Sequence, residues 1–252
     1  MNTVVEAGVL LGAGAVAGLV GTAGGITSLV SYPALLAVGV PALAANVANI
    51  IAAVACWPGA ALASRAELQG RGPWLLRWTP VAAVGGVVGA ALLLSTPTRA
   101  FALVVPFLVA TGSLTLLAQP KLSARRQRRR TRHGGPALPT GLVAVSLYSG
   151  YFGAGSGVMA LALMLLTVDG NLPKANALKN TLIGAATVTS AIALTLFGPV
   201  DWAVVVPLAA GMFAGAALGP RITRLLPADV MRWAVALLGI ALAVELLVRP
   251  ES

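Results

Sequence analysis

The sequence predicts an all-α polytopic membrane protein made of two inverted repeats, each a broken re-entrant helical hairpin followed by three transmembrane helices. This prediction depends on composition, on the lengths of the apolar segments and on a duplicated glycine pattern. Apolar residues make up 58% of the 252-residue chain and charged residues 10%, whereas soluble domains carry about 25% charged residues. A soluble fold is therefore excluded.

The apolar segments have the lengths of membrane elements. They lie at about 4–39, 42–63, 79–96, 100–118, 138–168, 174–197, 203–219 and 229–248. A helix that crosses the hydrocarbon core needs roughly 20 residues, and the segments 4–39 and 138–168 are far longer. Both contain a glycine cluster near the middle, where lipid could not satisfy the freed backbone groups. We therefore predict that each is a re-entrant hairpin whose turn faces a cavity inside the protein.

The two long segments also repeat each other. When the second segment is aligned with the first at an offset of 132 residues, three glycines and one proline match. Gly18, Gly21, Gly25 and Pro41 align with Gly150, Gly153, Gly157 and Pro173. A GxxxG motif follows in each half, at 85–89 and 211–215, and predicts close helix packing. The chain is therefore expected to contain a first membrane repeat at 1–118, a basic linker at 119–136 and a second membrane repeat at 137–252.

Basic residues predict the orientation. Seven of them lie between Lys121 and Arg132, which is typical of a cytoplasmic loop rather than a nucleic-acid surface. If the two long segments are re-entrant hairpins, only two basic loop residues lie outside, Arg99 and Arg249. If every segment crosses the bilayer, five basic loop residues lie outside. The preference for basic residues on the cytoplasmic side therefore favours the re-entrant arrangement. We expect a multi-pass protein of the cell membrane with cytoplasmic loops at 64–77, 119–136, 169–174 and 220–229. The segments 95–99 and 198–202 and the C-terminus are expected outside.

Polar residues inside membrane segments are costly and indicate a site. The candidate substrate-binding residues follow the two prolines or lie at the two glycine turns: Asn46, Asn49, Asn176, Lys179, Asn180, Thr22, Gly24, Gly25, Gly155, Ser156 and Gly157. An ammonium group, amide donors and the positive ends of half-helices would together bind a small anion. Two alternatives stay open at this stage. The asparagines could bond between helices, and Lys179 could extend to the interface.

Other features argue against an enzyme. The single cysteine, Cys56, excludes a disulfide and is assigned to helix packing. Ser156 would need a neighbouring base, and the only histidine, His133, lies in the basic linker. No catalytic residue, metal site or cofactor is expected.

The duplicated segments resemble a known family. The stretches 18–26 with 41–49 and 150–158 with 173–181 are similar to the sulfite exporter TauE/SafE family of membrane anion permeases. The stretches 176–180 and 65–70 look most like its actinobacterial members. The resemblance implies export of small anions such as sulfite, organosulfonates or related organic anions. The sequence departs from the commoner Gly-Thr-Ser helix start at residues 46–48 and 178–180.

These observations favour a secondary transporter that works by alternating access at a midplane site between the repeats. Its expected partners are a small anionic substrate and the lipid bilayer, with no nucleic acid. A homodimer is left open. The alternatives are a passive anion channel, which would share the site, and a membrane assembly or scaffold protein without transport.

Overall fold

All regular secondary structure is helical in the residues that the computed structural model describes, which are 3–24, 26–58, 65–126, 137–222 and 228–248. The first half contains α1 (Thr3–Gly24), α2 (Thr27–Ala37), α3 (Ala42–Ala53), α4 (Gly72–Ser95) and α5 (Thr98–Arg126). The second half contains α6 (Ala137–Tyr151), α7 (Ser156–Thr167), α8 (Leu172–Phe197), α9 (Trp202–Ile222) and α10 (Ala228–Val248). A 3₁₀ turn, Val54–Cys56, prolongs α3.

The two long apolar segments are interrupted at their glycine clusters, as predicted. The first divides between α1 and α2 and the second between α6 and α7. In the second interruption Gly153 and Gly155 have φ angles of 82° and 80°, a left-handed conformation that residues with a Cβ rarely adopt. Further along, a side chain at Gly141 of α6 would meet Leu163 of α7. The chain therefore turns back on itself at residues 152–155.

Prolines and one asparagine define where the later helices begin. Pro41 lies directly before α3 and Pro173 lies in the first turn of α8, where a missing backbone N–H costs nothing. The side chain of Asn171 caps α8 by accepting a bond from the backbone N–H of Lys174 at 3.2 Å, which stabilises the helix start. The two helices with polar first turns, α3 and α8, thus begin close to the prolines where the sequence predicts.

The main helix contacts join the two halves. Helix α1 packs along α9, α4 packs along both α6 and α8, and α5 packs along α10. The GxxxG glycines lie at these contacts: a Cβ at Gly89 would collide with the carbonyl of Leu147, and one at Gly215 with the carbonyl of Ala15. The predicted close packing at both motifs is confirmed, because only glycine lets the backbones approach this far.

Three helices are long and apolar enough to cross a membrane in the part of the chain that the structure describes: Gly72–Ser95, Thr98–Ala118 and Leu172–Phe197. Large apolar side chains such as Leu76, Phe107 and Phe197 are mostly exposed on the outer surface, as expected for a protein surrounded by lipid. Helix α5 continues to Arg126, eight residues into the segment predicted as linker. Residues 127–136 lie outside the described part of the chain.

Candidate functional site

A cavity of about 120 Å³ lies where the two helix interruptions meet α3 and α8, which is room for several water molecules or one small ligand. Residues of both halves line it. They are Gly21, Thr27, Ser28, Ile50, Ala53, Val54, Cys56 and Trp57 from the first half, and Ser149, Gly153, Ser156, Gly157, Lys179, Asn180, Ile183, Gly184 and Thr187 from the second. The interruptions and the polar start of α8 therefore share one cavity.

Among the described residues, Lys179 is the one basic residue in the cavity wall, and its side chain is only 3% exposed. At 1.5 Å per residue it lies roughly 10 Å along α8 from the helix start. In the same described part of the chain no carboxylate pairs with it, and none lines the cavity. A buried ammonium group without a carboxylate is costly unless a ligand compensates it. This placement favours a site for an anion.

Two half-helices begin at the cavity. Thr27 and Ser28 form the start of α2, and Ser156 and Gly157 form the start of α7. The Ser156 hydroxyl donates to the carbonyl of Gly153 at 2.7 Å, which fixes the turn. The first N–H groups of a helix lack partners within the helix and carry partial positive charge. Together with Lys179 they give the cavity a positive wall.

Helix α3, its 3₁₀ turn and the residue directly after the turn supply a wall that is apolar apart from a thiol and an indole N–H. Its residues are Ile50, Ala53, Val54, Cys56 and Trp57. The indole of Trp57 lies directly against Gly184 of α8, since a side chain there would collide with the indole ring. Cys56, which the sequence assigns to helix packing, does contact the carbonyl of Met212 on α9 through its thiol, and it also lines the cavity.

Asn46 and Asn49 are fully buried and lie beside the cavity without lining it. Asn46 Nδ2 donates to the carbonyl of Tyr151 at 2.8 Å, and the Ser31 hydroxyl donates to Asn49 Oδ1. Nearby, the Ser190 hydroxyl donates to the carbonyl of Gly150 at 3.1 Å. Asn46 and Ser190 thus satisfy two carbonyls at the interrupted end of α6, as a break inside a membrane requires. Each asparagine keeps one unpaired buried atom, Asn46 Oδ1 and Asn49 Nδ2.

The remaining predicted site residues have several locations. Asn180, Ser156 and Gly157 line the cavity, whereas half-buried Asn176 lies nearer the start of α8, with its Oδ1 unpaired. Gly155 caps α7 and packs against Gly112 of α5. Gly25 lies outside the described residues, as do the side chain of Thr22 and the surroundings of Gly24.

Sequence reasoning missed several lining residues of α3 and α8 that carry no charge or amide. On α8, the residues Ile183, Gly184 and Thr187 follow Asn180 at intervals of three, four and seven. This is the spacing of one helix face, so extending the face from Asn180 would have found them. For α3 the polar residues indicated the wrong helix face, because its asparagines lie on a face that does not line the cavity.

Comparison with known proteins supplies the family. The model of the sulfite exporter TauE/SafE family matches residues 7–246. A "probable membrane transporter protein" of Haemophilus influenzae is 30% identical over 223 residues, which cover 84% of this chain and 83% of that protein. The "probable membrane transporter protein YfcA" of Escherichia coli K12 is 30% identical over 65% of this chain and 61% of its own length.

A more complete but weaker match is the "probable membrane transporter protein ORF9" of a Sinorhizobium species, 26% identical over 93% of this chain and 90% of that protein. No solved structure matches the chain. The relatives are named as transporters, in agreement with an apolar helical bundle that contains a cavity partly lined by polar side chains. The family match covers nearly the whole chain, and the protein therefore belongs to the sulfite exporter TauE/SafE family of membrane transporters.

Proposed function

We propose that the protein is a secondary transporter that exports a small anion, with sulfite, organosulfonates and related organic anions as the substrate class. The observation that carries this proposal is the buried ammonium group of Lys179 in a cavity that two half-helix N-termini also line. Half-helix N-termini at a site between repeats are a recurrent way in which transporters bind anionic groups. The substrate head group would lie between Lys179 and the starts of α2 and α7.

The proposed transport cycle is alternating access between two inverted repeats in the plasma membrane. The helix contacts support this cycle, when α1–α5 of the first repeat are matched in order with α6–α10 of the second. The contact of α1 with α9 is then equivalent to the contact of α6 with α4, and the contact of α2 with α10 is equivalent to the contact of α7 with α5. Each hairpin thus contacts the equivalent helices of the opposite repeat. Such a symmetric arrangement lets the same chain adopt two related states in which the repeats exchange roles.

An ion pair supports the re-entrant topology. Arg71, before α4, contacts Asp169, after α7, with 2.7 Å between Nη2 and Oδ2. If every apolar segment crossed the bilayer, these two residues would be on opposite sides of the membrane. With re-entrant hairpins both are on the cytoplasmic side.

The topology can be tested by labelling single cysteines in a Cys56→Ala background. We expect Gln69→Cys and Gly170→Cys to react with an impermeant thiol reagent only in inside-out vesicles. Thr98→Cys, at the start of α5, should react only in intact cells and serves as the opposite-side control. Labelling of positions 69 and 170 from different sides would exclude the re-entrant arrangement.

The transport proposal itself is tested with purified protein in liposomes. We expect uptake of labelled sulfite or methanesulfonate to saturate with concentration and to be driven by unlabelled anion inside the vesicles. Counterflow distinguishes a carrier from a passive channel, which would conduct without it. No flux of any small anion from correctly inserted protein would instead favour the scaffold alternative.

A further inference from the structure

The walls of the cavity differ in chemistry. The helix interruptions and the start of α8 provide hydroxyl, amide and ammonium groups, from Thr27, Ser28, Ser156, Lys179 and Asn180. Helix α3 and its 3₁₀ turn provide aliphatic side chains and a thiol, Trp57 directly after the turn provides an indole ring, and Ile183 of α8 adds a further aliphatic side chain. A bare inorganic oxyanion would use only the first wall and would leave the second in contact with water.

We infer that the preferred substrate is an amphiphilic organic anion, a sulfonate or carboxylate head group with a short alkyl tail. This inference rests on the proposed function and narrows it. The head group binds at Lys179 and the half-helix ends, and the tail packs against Ile50, Val54 and Trp57. Burying the tail removes apolar surface from water on both sides of the contact, a gain that sulfite cannot obtain.

Trp57 is the specificity-determining residue in this arrangement. Its indole is the largest group of the apolar wall and lies against Gly184, where the absence of a side chain leaves it space. The cavity of about 120 Å³ limits the tail to a few carbon atoms. Each buried methylene should strengthen binding about fourfold, from roughly 0.8 kcal/mol per CH₂ group.

The test uses a series with one head group and increasing tail length. Methanesulfonate, ethanesulfonate and propanesulfonate compete with counterflow of labelled methanesulfonate in liposomes, with sulfite as the member that has no tail. The half-inhibitory concentration should fall about fourfold per added methylene, so that propanesulfonate competes about 15-fold better than methanesulfonate. Equal competition by all members, or best competition by sulfite, would overturn the inference and leave anion transport intact. Absence of counterflow with every labelled anion would overturn the proposed function as well.

Variants test the role of the apolar wall. Trp57→Ala should reduce the 15-fold preference for propanesulfonate over methanesulfonate to less than threefold. Val54→Thr keeps the side-chain volume but replaces a methyl group with a hydroxyl, and should reduce the preference by at least twofold even if the Trp57 variant does not fold. Trp202→Ala changes a tryptophan that is 52% exposed at the start of α9 and should leave the preference unchanged. A full preference retained in both Trp57→Ala and Val54→Thr would show that the tail does not contact this wall.

Discussion

Lys179→Gln is expected to yield folded, membrane-inserted protein with flux reduced by at least tenfold at low substrate concentration. Lys179 is the one basic side chain that the described residues contribute to the cavity wall. Hydrogen bonds to charged groups contribute about 1.5–3 kcal/mol, which corresponds to a loss of affinity of about 10- to 150-fold. The fold should tolerate the change, since glutamine removes a buried charge that no described carboxylate compensates.

The matched control is Lys174→Gln, one helix turn and one residue earlier on α8. Lys174 is exposed, so the removal of its charge should leave flux near the wild-type level. Lys179→Arg retains a positive charge in a larger planar group and should keep part of the activity. Initial rates of anion uptake in liposomes at matched protein amounts provide the measurement. Wild-type flux in Lys179→Gln would mean that the ammonium group anchors the helix and does not bind substrate.

The sequence was sufficient to predict the helix interruptions and the lysine of the cavity. A glycine cluster inside an overlong apolar segment indicates a break that the protein itself must enclose, because lipid cannot satisfy an open backbone. Lys179 could be singled out for a similar reason, since a charge within a membrane segment is rarely without function. Both predictions follow from the cost of polar groups in hydrocarbon, which needs no knowledge of neighbouring helices.

The asparagines of α3 show where such reasoning ends. The spacing of Asn46 and Asn49 puts them on one helix face, but spacing does not tell which neighbour that face meets. In the structure they bond to Tyr151 and Ser31, behind the cavity. The side of α3 that lines the cavity is apolar. Its identity depends on contacts between residues more than 100 positions apart, such as Trp57 with Gly184.

The cavity side of α3 also has a regular spacing. Ala53, Val54 and Trp57 follow Ile50 at intervals of three, four and seven residues, which is the spacing of one helix face, although Val54–Cys56 form a 3₁₀ turn. Nothing in the sequence marks Ile50 as the starting point of that face, because an apolar residue in a membrane helix does not by itself indicate a site.

Gly215→Leu is expected to abolish the folded protein, the largest effect on stability among the glycines of the bundle. Helices α1 and α9 approach so closely at Gly215 that a Cβ would collide with the backbone of Ala15. Backbone atoms cannot move aside as a flexible side chain can, and the two helices would have to separate along their contact. Overpacking commonly lowers the free energy of unfolding by about 1–3 kcal/mol and occasionally by more. We expect Gly215→Leu to lie at the upper end of this range. Gly89→Leu should act in the same way, because its Cβ would meet the carbonyl of Leu147 between α4 and α6.

The control for this prediction is Gly12→Leu on α1. Gly12 is exposed, and a Cβ there would meet no atom within 4 Å, so the added side chain enters lipid. Leucine is also a better helix former than glycine by up to about 1 kcal/mol, and the variant should be at least as stable as the wild type. The yield of monodisperse protein after heating in detergent measures the difference. We expect Gly12→Leu to remain monodisperse after heating, and Gly215→Leu and Gly89→Leu to yield no monodisperse protein. Equal thermal stability of all three variants would contradict the close approach of the helices that joins the two halves around the cavity.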